Sequence, residues 1–204
     1  QALQNGSATV SFGNIESTTT LGDEMNESSS RGPSTPNFDI KPDIVAPGTN
    51  IMSTIPMYQA DYPEATYDTA YSRKTGTSMA TPHIAGIVAL MKQANPDWDA
   101  FDIKVALSNT GKVLNTASYD VFDQGAGRVQ PYEAVHANVL AYAIDTANND
   151  GEEVENVKGT ITFGPQSLDE DVSVTKQVIV KNGGQDAEVT VDVLKSFKDA
   201  KLTV

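Results

Sequence analysis

The sequence contains no cysteine among its 204 residues. Disulfide bonds within the chain and thiolate metal sites are therefore excluded, although a large exported protein needs neither. No run of about 18 apolar residues occurs, which argues against a membrane-spanning helix. The chain also begins at Gln1 without an initiator methionine or a signal peptide. This abrupt start predicts an internal piece of a larger protein.

Positive charge is scarce. The chain has 14 Lys and Arg against 27 Asp and Glu, which gives a formal net charge of -13. Nucleic acid and anionic membrane surfaces would both be repelled by this charge, so we expect neither as a partner. The length is sufficient for one or two domains with a real core.

The stretch around which the chain is organised runs from Thr75 to Gln93, TGTSMATPHIAGIVALMKQ. Large apolar residues recur in it at helical spacing, at Ile84, Ile87, Val88 and Met91. Small residues between them would allow close packing, so the pattern predicts a central helix. Pro82 favours a start close to Ser78, because a proline costs little in the first turn of a helix.

Ser78 lies where this loop turns into the helix, with no bulky neighbour before it. The first N–H groups of a helix are unpaired and carry partial positive charge, so an oxyanion formed there would be stabilised. A second interpretation stays open from the residues alone. Ser and Thr are common N-caps, and Thr77 or Ser78 could simply cap a core helix.

The longer string GTSMATPHIAG, residues 76–86, resembles the nucleophile signature of subtilisin-like serine proteases. The agreement continues in SSRGP at residues 29–33, KPDIVAPG at 41–48 and GAGRV at 125–129. The resemblance implies an α/β fold, namely the incomplete C-terminal part of a subtilisin-like parallel-sheet domain. It implies a serine endopeptidase with Ser78 as the nucleophile and the Ser78 N–H as an oxyanion donor. Thr77 would support the oxyanion hole, and Gly76 would let the backbone approach substrate.

In that family the catalytic Asp and His and the oxyanion Asn precede the serine, and no matching strings precede Ser78 here. We therefore expect the chain alone to be inactive. His83 lies five residues after Ser78, about 140° around the helix, and is expected to be a buried or interface histidine. His136 is expected to face solvent or pack beside Val135, without a catalytic role.

The resemblance also implies the setting of the whole protein: peptide or protein substrates, and a secreted or cell-wall-associated bacterial location. No cofactor or metal is expected in this chain, although calcium is possible in the parent protein. The acidic run Asp169-Glu170-Asp171 could bind calcium, but a solvated turn is favoured because adjacent carboxylates on a strand alternate in direction. The alternative function is a non-catalytic extracellular structural or binding module.

Four domain segments are predicted along the chain. Residues 1–25 would be the exit from an inserted protease-associated domain, with Ala8 to Phe12 as its last strand. Residues 26–144 would complete the catalytic domain, 145–153 (DTANNDGEE) would be an acidic linker, and 154–204 would start a β-sandwich that resembles a fibronectin type III domain.

Local patterns predict the elements inside these segments. Strands are expected at 44–46 and 51–55, followed from Pro56 to Lys74 by a loop rich in tyrosine. This loop could line a peptide cleft or simply cover the surface. A second helix should start after the N-cap Asp99, with Asp102 in a capping box, and stop at residues 109–111. A last helix should run from Pro131 to about Leu140.

Alternating residues predict strands in the last segment, at 157–163, 172–180 and 189–193, with a turn at Asn182-Gly183-Gly184. A β-sandwich needs about seven strands. Because an unfinished sandwich exposes apolar faces and open edges, we expect partial disorder or strand-exchanged self-association of the chain.

Overall fold

The computed structural model describes residues 22–56, 63, 64, 66, 69–167, 169–186, 188–193, 201 and 203. The predicted strand at Ala8 to Phe12 lies outside them. In chain order the elements are β1 (Ile51–Thr54), β2 (Tyr71–Lys74), α1 (Thr77–Ala94), α2 (Ala100–Asn109), α3 (Val121–Gln124), α4 (Pro131–Val135), β3 (Val139–Asn149), β4 (Glu152–Lys158) and β5 (Gln177–Asn182). The mixed α/β content confirms the predicted class at that level.

Helix α1 forms where the apolar spacing predicts it, but it is less central than expected. Its buried residues are Ile87 and Met91, whereas Leu90 is 54% exposed. The helix therefore packs one face against α2 and α4 and leaves its other faces open in the described structure. The helix starts at Thr77, close to Ser78 as predicted, but Pro82 is its sixth residue and not a first-turn residue, so the reason given for this start is wrong.

Helix α2 begins and ends as its local sequence predicts. The Asp99 carboxylate accepts a hydrogen bond from the Asp102 N–H at 2.9 Å. In return, the Asp102 carboxylate accepts one from the Asp99 N–H, which completes the capping box. The helix ends at Asn109 with Thr110 as its C-cap. On its inner face Val105 and Ala106 are buried, and Phe101 meets Tyr142 of β3 edge to face at 5.1 Å between ring centroids.

Two motif segments that are distant in sequence, 41–48 and 125–129, meet in a small ladder that also includes Lys112. Val45 donates to Gly127 O at 2.9 Å and accepts from Val129 N at 2.9 Å, which makes a parallel bridge with Arg128. Arg128 also pairs antiparallel with Lys112. Within the described residues this bridge is the only parallel pairing, because both multi-residue sheets are antiparallel. The expected strand at 44–46 is thus reduced to a bridge.

Helix α4 stops at Val135, earlier than the predicted end near Leu140. The following residues, from Val139, form the long strand β3, which pairs with β4 on one side and β5 on the other. A continuous apolar run such as 139–144 fits a buried helix or a buried strand equally well by spacing. Pairing on both edges decides in favour of the strand.

The segment predicted as an acidic linker, 145–153, forms the end of β3, a turn and the start of β4. Asp150 and Gly151 at the turn both have positive φ, 52° and 94°, which a type I′ hairpin turn requires. Residues 145–153 are therefore part of a hairpin. The division into domains at this point stays a prediction.

The strands predicted after the hairpin are displaced. β4 ends at Lys158 and β5 covers Gln177–Asn182, whereas 159–176 and 189–193 contain no strand among their described residues. Sheet order is β4-β3-β5. All six residues of β5 are exposed.

The core lies between α1, α2, α4 and β3. Its most buried side chains are Met91, Val105, Ala106, Ala134 and Ala143, each at most 1% exposed. No described helix has the length and apolar character needed to cross a bilayer.

A chain of ion pairs joins the sheet to the segment before the ladder. Lys158 of β4 pairs with Asp39 and lies 3.4 Å from the Asp145 carboxylate, and Lys176 donates to Asp145 at 2.5 Å. Burial of Asp145 opposes its ionisation, but the hydrogen bond from Lys176 and the charge of Lys158 outweigh it and lower the pKa of Asp145. We call Asp39, Lys158, Asp145 and Lys176 the ion network.

Candidate active site

Ser78 is the second residue of α1, directly after Thr77. Gly76 is the N-cap residue, with φ 153°, a conformation that residues with a side chain rarely adopt, and no side chain caps the helix. The alternative that Thr77 or Ser78 caps α1 is therefore wrong, because Gly76 occupies that position.

The start of α1 offers unpaired donors beside an accessible hydroxyl. Ser78 and Thr77 are both exposed, and within the described residues neither Ser78 Oγ nor the Ser78 N–H has a hydrogen bond. The Gly76 carbonyl accepts from Met79 N at 2.9 Å and Ala80 N at 3.3 Å, so helical pairing begins with those residues. Pro82 has no N–H to return to the Ser78 carbonyl.

The charge pattern of α1 favours an anion at this end. Its first turn has no acidic residue, and Lys92 lies in its last turn, where it donates to the carbonyls of Pro96 at 2.5 Å and Trp98 at 2.7 Å. Aligned peptide dipoles give the N-terminus of a helix about half a positive charge. A negative oxygen that develops next to Ser78 would therefore be stabilised.

The backbone before Ser78 is tied to a neighbouring turn. The Gly76 N–H donates to Gly48 O at 2.9 Å, and the Asn50 N–H donates to Thr75 Oγ1 at 2.9 Å. Arg73 of β2 donates to Asn50 O at 3.0 Å. Apart from Gly76, none of these residues is given a role at the site by the sequence patterns. The Pro-Gly-Thr-Asn string at 47–50 indicates a turn, but only tertiary structure brings it against α1.

The described structure brings no base to Ser78. The His83 ring is exposed and its Nδ1–H donates to Met79 O at 2.8 Å, so this histidine is not buried in the described chain, and its alternative role as an interface histidine stays a prediction. His136, the C-cap of α4, is exposed, stacks on Tyr132 at 4.2 Å and donates from Nδ1 to Tyr132 O. Neither ring hydrogen-bonds to Ser78 among the described residues.

The tyrosine-rich loop is only partly described. Tyr58, Tyr62 and Tyr67 lie outside the described residues, and Tyr71 belongs to β2, where it is 58% exposed. β2 was missed because its sequence, YSRK, is short and polar, and its pairing partner β1 lies across the loop. The cleft-lining role of the loop stays a prediction.

No group of three or more potential metal ligands occurs among the described residues. The acidic run Asp169-Glu170-Asp171 is exposed, and Asp169 accepts a hydrogen bond from Ser167 at 2.8 Å. The expectation of no cofactor stays a prediction.

Comparison with known proteins identifies the family to which this chain belongs. The sequence profile described as the subtilase family matches residues 8–159. The chain belongs to the subtilase family. The match continues past residue 144, the predicted end of the catalytic domain, and includes the hairpin of β3 and β4.

Individual subtilases show the extent of the similarity. The chain is 40% identical over 168 residues to the minor extracellular protease Vpr of Bacillus subtilis. The aligned region covers 78% of this chain and 20% of that protein. It is 33% identical over 166 residues to the subtilisin-like protease SBT2.6 of Arabidopsis thaliana, covering 65% and 20%. The subtilisin-like protease SBT2.4 from the same plant is 39% identical over 133 residues. The chain thus spans about a fifth of the length of these relatives.

Proposed function

We propose that this chain is the nucleophile-bearing part of a secreted subtilisin-like serine endopeptidase. The observation that carries the proposal is the geometry at Ser78. Its hydroxyl is exposed at the start of an 18-residue helix, next to an unpaired backbone donor, in a member of the subtilase family. Family membership favours peptide bonds as the substrate.

Each residue has a defined role in this proposal. The Ser78 hydroxyl attacks the scissile carbonyl and forms an acyl-enzyme, which water then hydrolyses. The Ser78 N–H donates to the oxyanion, and the Thr77 hydroxyl supports that hole. Gly76, which has no Cβ, lets substrate approach the backbone.

Catalysis also needs a base, an acid that orients the base, and a second oxyanion donor. The part of the chain that the structure describes supplies none of these to Ser78, so we propose that they come from polypeptide outside this chain. The chain alone is then inactive. Loss of the catalytic serine or histidine of subtilisin costs on the order of 10⁶-fold in turnover, which sets the scale of the effect.

The remaining proposals concern the whole protein. The name of the Bacillus relative describes an extracellular protease, and this supports secretion of the protein that contains this chain. Association with the cell wall is the proposed alternative location. We propose that any calcium ion in the parent protein is bound by residues outside this chain. Residues 154–204 are proposed to start a fibronectin type III-like sandwich.

Self-association of the isolated chain is also proposed. Val178, Ile179 and Val180 of β5 are 37–49% exposed, and Val189, Val191 and Val193 are 56–58% exposed. Size-exclusion chromatography with light scattering of the chain should show a dimer that dissociates on dilution. A monomer at every concentration would remove this proposal.

Replacement of Ser78 by Ala in the full-length protein tests the endopeptidase proposal. Cleavage of a casein or peptide substrate should fall at least about 10³-fold, because the acyl-enzyme cannot form. Ser173→Ala, which removes an exposed serine hydroxyl outside the helix that carries Ser78, is the matched control and should retain activity. Undiminished proteolysis by the Ser78→Ala protein would refute the proposal.

A further inference from the structure

Gly48 lies directly against the first turn of α1, although it is 30 residues before Ser78. A methyl group on Gly48 would stand 2.8 Å from the Gly76 carbonyl oxygen and 3.1 Å from Ala80 Cβ. Contacts this short occur essentially nowhere between a Cβ and a backbone oxygen, so the backbone would have to move. The absence of a side chain at residue 48 thus sets how closely the turn approaches the helix.

The carbonyl that Gly48 approaches is the one on which α1 begins. It accepts from Met79 N and Ala80 N, and the residues between, Thr77 and Ser78, are fixed by those two bonds. Gly48 O also accepts from Gly76 N at 2.9 Å. Gly48 therefore contacts Gly76 through both a hydrogen bond and close packing.

A second contact holds the same backbone one residue earlier. The Thr75 hydroxyl accepts the N–H of Asn50, whose φ is 57°, a conformation that a residue with a side chain adopts at some cost. The Asn50 carbonyl is in turn bound by Arg73. Both sides of the 48–50 turn are thereby attached to the backbone that leads into Ser78.

We propose that Gly48 and Thr75 are positioning residues, which hold residues 75–77 so that Ser78 Oγ and the Ser78 N–H face one substrate carbonyl. The proposal rests on the proposed endopeptidase function and adds that the turn at 48–50 determines turnover without touching substrate. A displacement of about 1 Å at a nucleophile can cost on the order of 10²-fold in rate.

Gly48→Ala in the full-length protein is the first test. We expect kcat to fall at least about tenfold while KM stays within about twofold, since substrate contacts are unchanged but the nucleophile is displaced. Gly22→Ala is the matched control, because a methyl group there meets no atom within 4 Å and should change neither constant. A Gly48→Ala protein with normal kcat would overturn the proposal.

A second pair of variants covers the case in which Gly48→Ala does not fold. Thr75→Val removes the acceptor of the Asn50 N–H and should lower kcat, whereas Thr75→Ser keeps the hydroxyl and should restore it. Equal kcat for the Val and Ser variants, with both folded, would refute a positioning role.

Amide NMR spectra of the 204-residue chain give a readout that needs no activity. Gly48→Ala should shift the resonances of Gly76, Thr77 and Ser78, while Gly22→Ala should leave them in place. Unshifted resonances in the Gly48→Ala chain would contradict the proposal. The Ser78→Ala protein separates the two hypotheses. If it retains proteolysis, the endopeptidase proposal fails. If it is inactive while Gly48→Ala and Thr75→Val have wild-type kcat, only the positioning proposal fails.

Discussion

Adjacent side chains on α1 have opposite surroundings. Met91 is 0% exposed and packs in the core, whereas its neighbour Leu90 is 54% exposed. Helical geometry separates them by about 100°, so one residue step moves a side chain from the core to the surface. The stability of the isolated chain should therefore depend on Met91 and hardly on Leu90.

Met91→Ala should lower the free energy of unfolding by about 2–5 kcal/mol, because a buried side chain is replaced by a cavity. Urea unfolding of the chain, followed by the fluorescence of Trp98 beside the core, measures this change. Leu90→Ala on the same helix should cost within about 0.5 kcal/mol. Equal losses for both variants would show that α1 is packed differently.

At the scale of single residues, local chemistry predicts Ser78 well and Asp145 badly. The motif around Ser78 is contiguous, so its place at a helix start can be predicted from neighbouring residues. Asp145 lies in an acidic stretch and was assigned to a linker, yet it is 7% exposed and bound by two lysines. Its partner Lys176 is 31 residues away, and no local pattern indicates that contact.

At the scale of elements, α2 is the best predicted because its signals are local. Both members of the capping box, Asp99 and Asp102, are three residues apart and act through each other's backbone. Strand β3 could not be predicted in the same way, since its pairing with β5 joins residues up to 43 positions apart. The hairpin did carry a signal, the Asp-Gly pair at 150–151, which the acidic composition obscured.

Asp99→Ala should destabilise the chain by about 0.5–2 kcal/mol, because the first turn of α2 loses its cap. Thermal unfolding followed by circular dichroism provides the measurement. Asp97→Ala removes the same charge from an exposed residue two positions earlier, outside the capping box, and serves as the control. If Asp97→Ala destabilised the chain as much as Asp99→Ala, the loss would come from charge and not from the cap.

At the scale of the whole molecule, the ion network links the β3–β5 sheet to the segment around Asp39. Lys158 is central to it, since its side chain is 13% exposed and it pairs with both Asp39 and Asp145. Lys181 offers a contrast, with a side chain 63% exposed and a 3.6 Å contact to Asp102. Exposed pairs contribute little, whereas loss of a buried partner leaves a carboxylate without its compensating charge.

Lys158→Met should therefore lower the free energy of unfolding at pH 7 by about 1.5–3 kcal/mol, the usual range for a hydrogen bond to a charged group. Lys181→Met should change it by less than about 1 kcal/mol. Urea unfolding of both variants measures these two changes in the free energy of unfolding. A loss for Lys181→Met equal to that for Lys158→Met would show that the network contributes only surface charge.

The same network predicts a pH dependence. Because the pKa of Asp145 is lowered in the folded chain from its ordinary value of 3.8, ionisation of this carboxyl stabilises the fold above that value. The contribution is lost as the pH falls below 3.8 through the folded pKa. The stability difference between the wild-type chain and Lys158→Met should thus be constant near pH 6 and shrink as the pH falls below 3.8. A difference that stayed constant as the pH fell below 3.8 would exclude linkage to the Asp145 carboxylate.

The whole-molecule account depends most on one proposal: Ser78 is the nucleophile, and the group that removes its proton comes from polypeptide outside these 204 residues. Labelling with a fluorophosphonate, followed by peptide mapping, tests this directly. The full-length protein should be modified at Ser78 within minutes, while the 204-residue chain should react several orders of magnitude more slowly. Equal labelling of the two, or modification of the full-length protein at another residue, would contradict the account.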